Sequence, residues 1–291
     1  MARLVAYLSN DPNRIRCAFH ASRDRLVVGR SDNHDGWGLG YYQHGEVLLQ
    51  KRPQSQRVEI RAAEIVKSLH TDALILHVRE ATVGSWKHDN THPFRFRSWL
   101  FAHRGTIAEF AAIKPKIAAQ IPEFLRRNIR GETDSELVFH LFLARLYEKG
   151  KLDDPNLDAR YIAGVLAGSI AQLDDLSHKA GAAEPSKINV AVMNGRVLAV
   201  TRRGLPLQYL RRDGISDCEA CRAQQEVVPG RAPRISHPLL RFVLAVTDLS
   251  NPPPETPATR PSSTDEWTEV PEGSVLTVNR QLEVAVAPLA L

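Results

Sequence analysis

The side chains of widest chemical reach in this 291-residue sequence are three cysteines and eleven histidines. Cys218 and Cys221 form one C-x-x-C, with His237 the next histidine along the chain. A complete zinc centre needs four such ligands, and no second C-x-x-C is present. The pair therefore reads as reduced surface thiols, with half of a zinc site or a redox pair as the alternatives. His77, His88, His92 and His103 cluster with His34 and Asp35 in a region that tempts a metal assignment. Cys17 stands alone; it could act as an N-terminal nucleophile only after a cut behind Arg16, which would delete the first strand. The arginines come in short groups such as Arg126-Arg127 and Arg211-Arg212. Without a long basic run or interleaved aromatics they read as solvated surface, not as a nucleic-acid interface.

These residues need elements to position them. Residues 3–8 (RLVAYL) form an apolar run that predicts a buried strand, and residues 11–22 predict a short helix. The stretch "DGWGLGYY" followed by "QHGE" and "EVLLQK" predicts a hairpin. Residues 58–69 carry helical spacing, while "ALILHV" and "SWLFAHRG" predict strands, the second ending at Gly105. Helical patterns dominate from 107 to 179, with a break near 128–133. Thr133 and Glu136 form a capping box ahead of "LVFHLFLARLY". "KINVAVM", an "NGR" turn, "VLAVTRR" and "LQYLRR" return the chain to strands. A polar loop containing "CEAC" precedes the strand "LLRFVLAVT". A Pro-rich surface loop follows near 249–265, and a C-terminal hairpin closes the sequence. Strands, then helices, then strands indicate an α+β fold, expected as one domain over 1–291.

The bulk numbers are consistent with this. Hydrophobic residues make up 43%, and the net charge of +5 is mild. Three cysteines do not make a disulfide framework. No charged-then-apolar leader and no membrane-length apolar run is seen, so a cytoplasmic protein with no membrane and no nucleic-acid partner is expected. Met1 precedes a small residue, which makes Ala2 the expected mature N-terminus.

Five segments in register resemble the class II, or N-terminal nucleophile, glutamine amidotransferases. They are "MARLVAYL" at the start, "DGWGLGYY" at 35–42, "HVREATVG" at 77–84, "FAHRGTI" at 101–107 and "TDSE" at 133–136. The resemblance implies a four-layer αββα sandwich of the Ntn-hydrolase type. It also implies glutamine hydrolysis, in which an N-terminal cysteine thiolate attacks the side-chain amide and its own α-amine serves as base. The family uses no cofactor and no metal at this site, and its scaffold commonly carries histidine at the positions of His77, His92 and His103.

Carried over residue by residue, the resemblance places Arg79 at the substrate carboxylate, where a guanidinium fork is the right donor. Thr82 falls on a substrate-contacting hydroxyl and Asp134 on the ammonium-binding aspartate. Gly105 falls on the oxyanion-hole glycine. The glycines of "DGWG" and Trp37 are expected to shape the hairpin and pack the site wall. Two positions depart from the family. Ala2 occupies the nucleophile position and its methyl group cannot attack a carbonyl. Arg104 occupies the oxyanion asparagine position; arginine also donates, but it is longer and charged and is expected to fill or repurpose the pocket. An engineered Cys→Ala change explains Ala2 alone, whereas a natural inactive paralogue explains both departures.

Two functions follow from these residues. One is a pseudoenzyme that binds glutamine or a similar amino acid through Arg79 and Asp134. The other is an active glutamine or γ-glutamyl amide hydrolase or amidotransferase in its natural form, with Ala2 standing at the cysteine position. Arg79 and Arg104 together would also suit a more anionic ligand, a dicarboxylate or phosphate. A protein partner would supply any acceptor chemistry.

Overall fold

The computed structural model describes residues 3–29, 36–53, 60–79, 87–224, 234–248 and 266–291. Ala2, His34, Asp35, Thr82 and the Pro-rich segment 249–265 lie outside the described residues. In chain order the strands are β1 (Arg3–Ser9), β2 (Val27–Gly29), β3 (Trp37–Gln43), β4 (Glu46–Arg52), β5 (Ile60–Arg61), β6 (Ala73–Val78), β7 (Phe94–Phe96) and β8 (Trp99–Thr106). They continue as β9 (Lys187–Met193), β10 (Leu198–Arg202), β11 (Leu207–Ile215), β12 (His237–Thr247), β13 (Thr268–Glu269), β14 (Ser274–Val278) and β15 (Val284–Pro288). The helices are α1 (Ile15–Ala21), α2 (Ala62–Val66), α3 (Phe110–Ala118), α4 (Glu123–Arg126), α5 (Asp134–Glu148), α6 (Ala159–Lys179) and α7 (Glu219–Arg222).

Two antiparallel sheets carry the fold. One runs β13-β11-β12-β1-β6-β3-β4, and the other β15-β14-β10-β9-β8-β7. Alternation along each strand explains how they stack. On β1, Leu4, Ala6 and Leu8 enter a core that they share with Leu100 and Ala102 of β8 and with Ala191 and Met193 of β9. Val5 and Tyr7 turn the other way, onto Ile15, Phe19 and Val66 of α1 and α2. Trp99 and Phe101 of β8 turn onto Phe139, Phe142 and Leu166 of α5 and α6. Both faces of the central strands are thus buried, which is why they read as unbroken apolar runs instead of alternating ones. The layer order is helix, sheet, sheet, helix, the α+β sandwich expected from the sequence.

The hairpins form where turn chemistry places them. Gln43 pairs with Glu46, and His44 and Gly45 both take positive φ, as a two-residue turn with the strands' right-handed twist requires. Asn194 caps the β9–β10 turn by accepting from the N–H groups of Arg196 and Val197. Val278 of β14 pairs with Val284 of β15.

Several expectations need correction. The helix over 58–69 is confined to α2, with Ile60–Arg61 paired to β2 instead. β8 runs through Gly105 to Thr106, and β11 continues past 211 to Ile215 through a bulge at Asp213–Ile215. The capping box is half made. Thr133 Oγ1 accepts from Glu136 N at 3.3 Å, but the Glu136 carboxylate turns to the N–H groups of Arg130 and Gly131. Two loop donors next to the helix start compete better than the single Thr133 N–H. "CEAC" is one helical turn rather than open loop, and Cys218 is 2% exposed. No helix among the described residues is long and apolar enough to cross a membrane.

Candidate functional site

The sequence-predicted residues that are described converge on one end of the sandwich. β1 lies between β6 and β12, with Leu4 opposite His77 and Val5 opposite Val246. β8 crosses beneath from the second sheet. The site is therefore bounded by the start of β1, the ends of β6, β8 and β12, and the N-terminus of α5.

Arg79 follows β6 directly, is 3% exposed, and donates its backbone N–H to Gly36 O at 2.9 Å. Arg104 belongs to the same face of β8 as Leu100 and Ala102, the face turned to the first sheet. Its guanidinium Nη2 reaches Asp248 Oδ2 at 3.3 Å, one residue beyond the end of β12. Thr247, beside Asp248, accepts the Leu4 N–H at 3.0 Å. Arg104 is thus anchored at the end of β12, beside the strand start that carries Leu4. Asp248 was not anticipated, because its partner lies 144 residues away in sequence.

Asp134 is the first residue of α5 and is 5% exposed. A carboxylate there is favoured by the helix dipole. Its Oδ2 accepts from Ile107 N at 3.3 Å, while its Oδ1 accepts from Ser135 N at 2.7 Å and Ser135 Oγ at 3.0 Å. A carboxylate has about four acceptor positions, so capacity for one more donor remains. Ser135, which sequence reasoning passed over, also meets His103 Nδ1 at 2.9 Å. Because the hydroxyl donates to Asp134, it can accept from His103 Nδ1, while His103 Nε2 faces Lys187 O at 3.4 Å.

Three histidines fill the floor. His77 and His92 pack ring against ring with centroids 4.3 Å apart, and both are buried. Burial pushes His77 down to about 3, helped by the nearby charges of His103, Arg104 and Arg79. Burial likewise holds His92 well below its usual range and lowers His103. The charges of Arg79 and Arg104 both disfavour a protonated His77.

Glycines allow these approaches. A Cβ on Gly38 would lie 1.9 Å from His92 O, so glycine lets the 92–93 segment lie across β3 toward His77. Gly105 has φ +143, and a Cβ there would lie 1.8 Å from Lys187 O of β9. Trp37 does not wall the site. It packs with Leu39 and Val78 in the core under α1 and α2, beneath the Arg52 guanidinium. His88 is exposed near Asp89.

Cys17 belongs to that outer core, on the face of the first sheet opposite Arg104. It cannot reach the site as a replacement nucleophile. It meets Cys221 Sγ and His237 Nε2 instead, each at 3.5 Å. The C-x-x-C pair thus has two partners that sequence spacing did not unite with it.

The arrangement holds a buried cation, Arg79, just past β6 and a buried anion, Asp134, at the start of α5. Asp248 balances the charge of Arg104, so the cleft is less cationic than two free arginines would make it.

Comparison with known proteins is consistent with this geometry. The family model for class-II glutamine amidotransferases matches residues 1–214. The Saccharomyces cerevisiae protein named "Probable glutamine amidotransferase DUG3" is 28% identical over 276 residues, covering 89% of this chain and 73% of the yeast protein. The gamma-glutamyl-hercynylcysteine sulfoxide hydrolase of Mycobacterium tuberculosis is 26% identical over 186 residues, covering 63% of this chain and 65% of that protein. The solved structure of a glutamine aminotransferase class-II domain protein from Silicibacter pomeroyi superposes with a TM-score of 0.61. It is 20% identical and the match covers 99% of this chain and 100% of that one. The sandwich is therefore the Ntn-hydrolase fold, and the chain belongs to the class-II glutamine amidotransferases.

Proposed function

We propose that this chain is a class-II glutamine amidotransferase-like protein that has lost amide hydrolysis and still binds glutamine, or an amino acid of similar form, through Arg79 and Asp134. The observation that carries the reading is the Arg104–Asp248 ion pair. An oxyanion hole works by donors preorganised toward the charge that develops on the carbonyl oxygen. A guanidinium anchored to a carboxylate at the end of β12 has its charge directed elsewhere, and its bulk takes up space beside the start of β1. Residue 2 is alanine, so in this reading the nucleophile and the oxyanion donor are altered together.

Arg79 and Asp134 are both buried and oppositely charged, and the resemblance assigns them to the carboxylate and the ammonium. With Arg104 offset by Asp248, the balance favours a zwitterionic amino acid over a dicarboxylate or phosphate. Thr82 would add a hydroxyl to that grip. The whole chain acts as one amidotransferase-like domain in this reading, and a partner protein supplies any acceptor chemistry.

Ammonia release from L-glutamine tests the loss of hydrolysis. The protein should show no turnover above background, and Ala2→Cys with Arg104→Asn should gain measurable turnover once mass spectrometry confirms a free Cys N-terminus. Turnover by the unaltered protein that disappears in Arg79→Ala would overturn the proposal in favour of an active amide hydrolase.

A further inference from the structure

Far from the amino-acid site, on the outer face of the first sheet, three separated segments bring four soft ligand atoms together. Cys17 projects from α1, Cys218 caps the start of α7 with Cys221 inside it, and His237 opens β12. Their ligand atoms all lie within 4.8 Å of one another, the one such group of metal-binding type among the described residues. Three of the six separations are 3.5 Å for Cys17 Sγ to Cys221 Sγ, 3.5 Å for Cys17 Sγ to His237 Nε2, and 3.3 Å for Cys221 Sγ to His237 Nε2. Zn–S bonds of about 2.3 Å and Zn–N bonds of about 2.05 Å at tetrahedral angles give edges of roughly 3.8 Å for S···S and 3.5 Å for S···N. These three edges match one face of a ligand tetrahedron to within a few tenths of an ångström, and Cys218 Sγ lies within 4.8 Å of all three atoms. They are far longer than the roughly 2.05 Å of a disulfide, and all three cysteines are free.

The backbone is arranged to hold this geometry. Cys221 N and Arg222 N both donate to Cys218 O, so one turn aims both sulfurs to the same side. Cys218 N donates to Ile235 O at 2.6 Å, which brings the His237 segment alongside. Arg16 Nη2 donates to Ala220 O at 3.1 Å, and Arg23 pairs with Glu219 at 2.9 Å, locking α1 onto α7. Cys17 and Cys218 are buried and the other two ligands half-buried.

We propose that Cys17, Cys218, Cys221 and His237 form a closed Cys3His site for a structural Zn2+. Four protein ligands leave no open position for substrate or water, which is the pattern of a structural rather than a catalytic zinc. The ion would tie α1, which follows β1, to α7 and to the start of β12. Those are the outer supports of the two neighbouring strands whose far ends carry Leu4, Thr247 and Asp248. Three thiolates, one neutral imidazole and Zn2+ leave one net negative charge, and Arg16 of α1 and Arg23, just past its end, both reach α7. Binding expels the thiol protons and involves no redox step.

The test uses the full chain, purified without an affinity tag that binds metal and without chelator. Elemental analysis should find one zinc per chain. Apoprotein, prepared by thiol-directed release and kept reduced, should take up Co2+ with the d–d bands of a tetrahedral site and thiolate-to-cobalt charge transfer. Zn2+ should displace the Co2+. Cys17→Ser should lose about one third of the charge-transfer intensity and weaken Zn2+ binding by roughly a hundredfold or more. His237→Cys keeps four ligands and should raise that intensity, which guards against a Cys17 variant that fails to fold. Reduced, folded apoprotein that binds neither Co2+ nor Zn2+ would overturn the proposal. So would a Cys17→Ser variant with the native cobalt spectrum, or a Cys17–Cys221 disulfide in freshly isolated, metal-free protein.

Discussion

Lowering the pH should destabilise this protein through His77, and the size of the effect can be worked out. His77 has an ordinary value of 6.5 and is pushed down to about 3 by burial and by the neighbouring charges. The folded-state value lies below the unfolded one, so the unfolded chain takes the proton first. The stability that depends on a neutral His77 is complete above pH 6.5 and is lost as the pH falls from 6.5 toward 3. At pH 5 the loss is RT ln(1 + 10^1.5), about 2 kcal/mol. His92, His103 and His140 shift in the same direction and steepen the decline. Asp72 and Glu136 are raised by burial and act with the opposite sign. A difference measurement isolates His77: urea unfolding of the native protein and of His77→Asn at pH 7.5 and pH 5. Asn cannot titrate, so the native protein should lose about 2 kcal/mol more than the variant over this interval. The absolute stability of the variant is immaterial, since only the change with pH is compared. Equal losses in both proteins would refute a buried, neutral His77 packed on His92.

Two further outcomes follow from the backbone and from the ion pair. Gly105→Ala should cost at least about 3 kcal/mol in urea unfolding, because φ +143 is unfavourable for alanine and its Cβ would meet Lys187 O; a native-like midpoint would show that β8 and β9 do not approach as described. Asp248→Asn should cost about 1–2 kcal/mol by removing the charged partner of buried Arg104, and an unchanged unfolding midpoint would remove the pair from the account.

How much was legible in the sequence depended on the range of the interaction. Runs such as RLVAYL and ALILHV announced buried strands because both faces of each are covered, and His44-Gly45 announced its turn through local backbone preference. The convergence of Arg79, Arg104, Gly105 and Asp134 was visible only through motif order, since strand ends from two sheets meet there. Asp248 carried no signal, because β12 returns beside β1 after more than two hundred residues. Ser135 sat inside "TDSE" yet gave no sign that it would face His103 of β8. Cys17 was read as isolated for the same reason that Cys218 and Cys221 were read as exposed. Nothing local reveals that α1 and α7 share one face of a sheet. Trp37 was read as packing the site wall, but alternation along β3 turns it with Leu39 into the core under α1 and α2.

The central claim, a retained amino-acid grip without hydrolysis, is tested most directly by calorimetric titration of the purified protein with L-glutamine. Saturable binding that is lost in Arg79→Ala, with glutamine recovered intact, is the predicted result. Heat from steady amide hydrolysis, or no binding by a protein whose fold is intact, would contradict it.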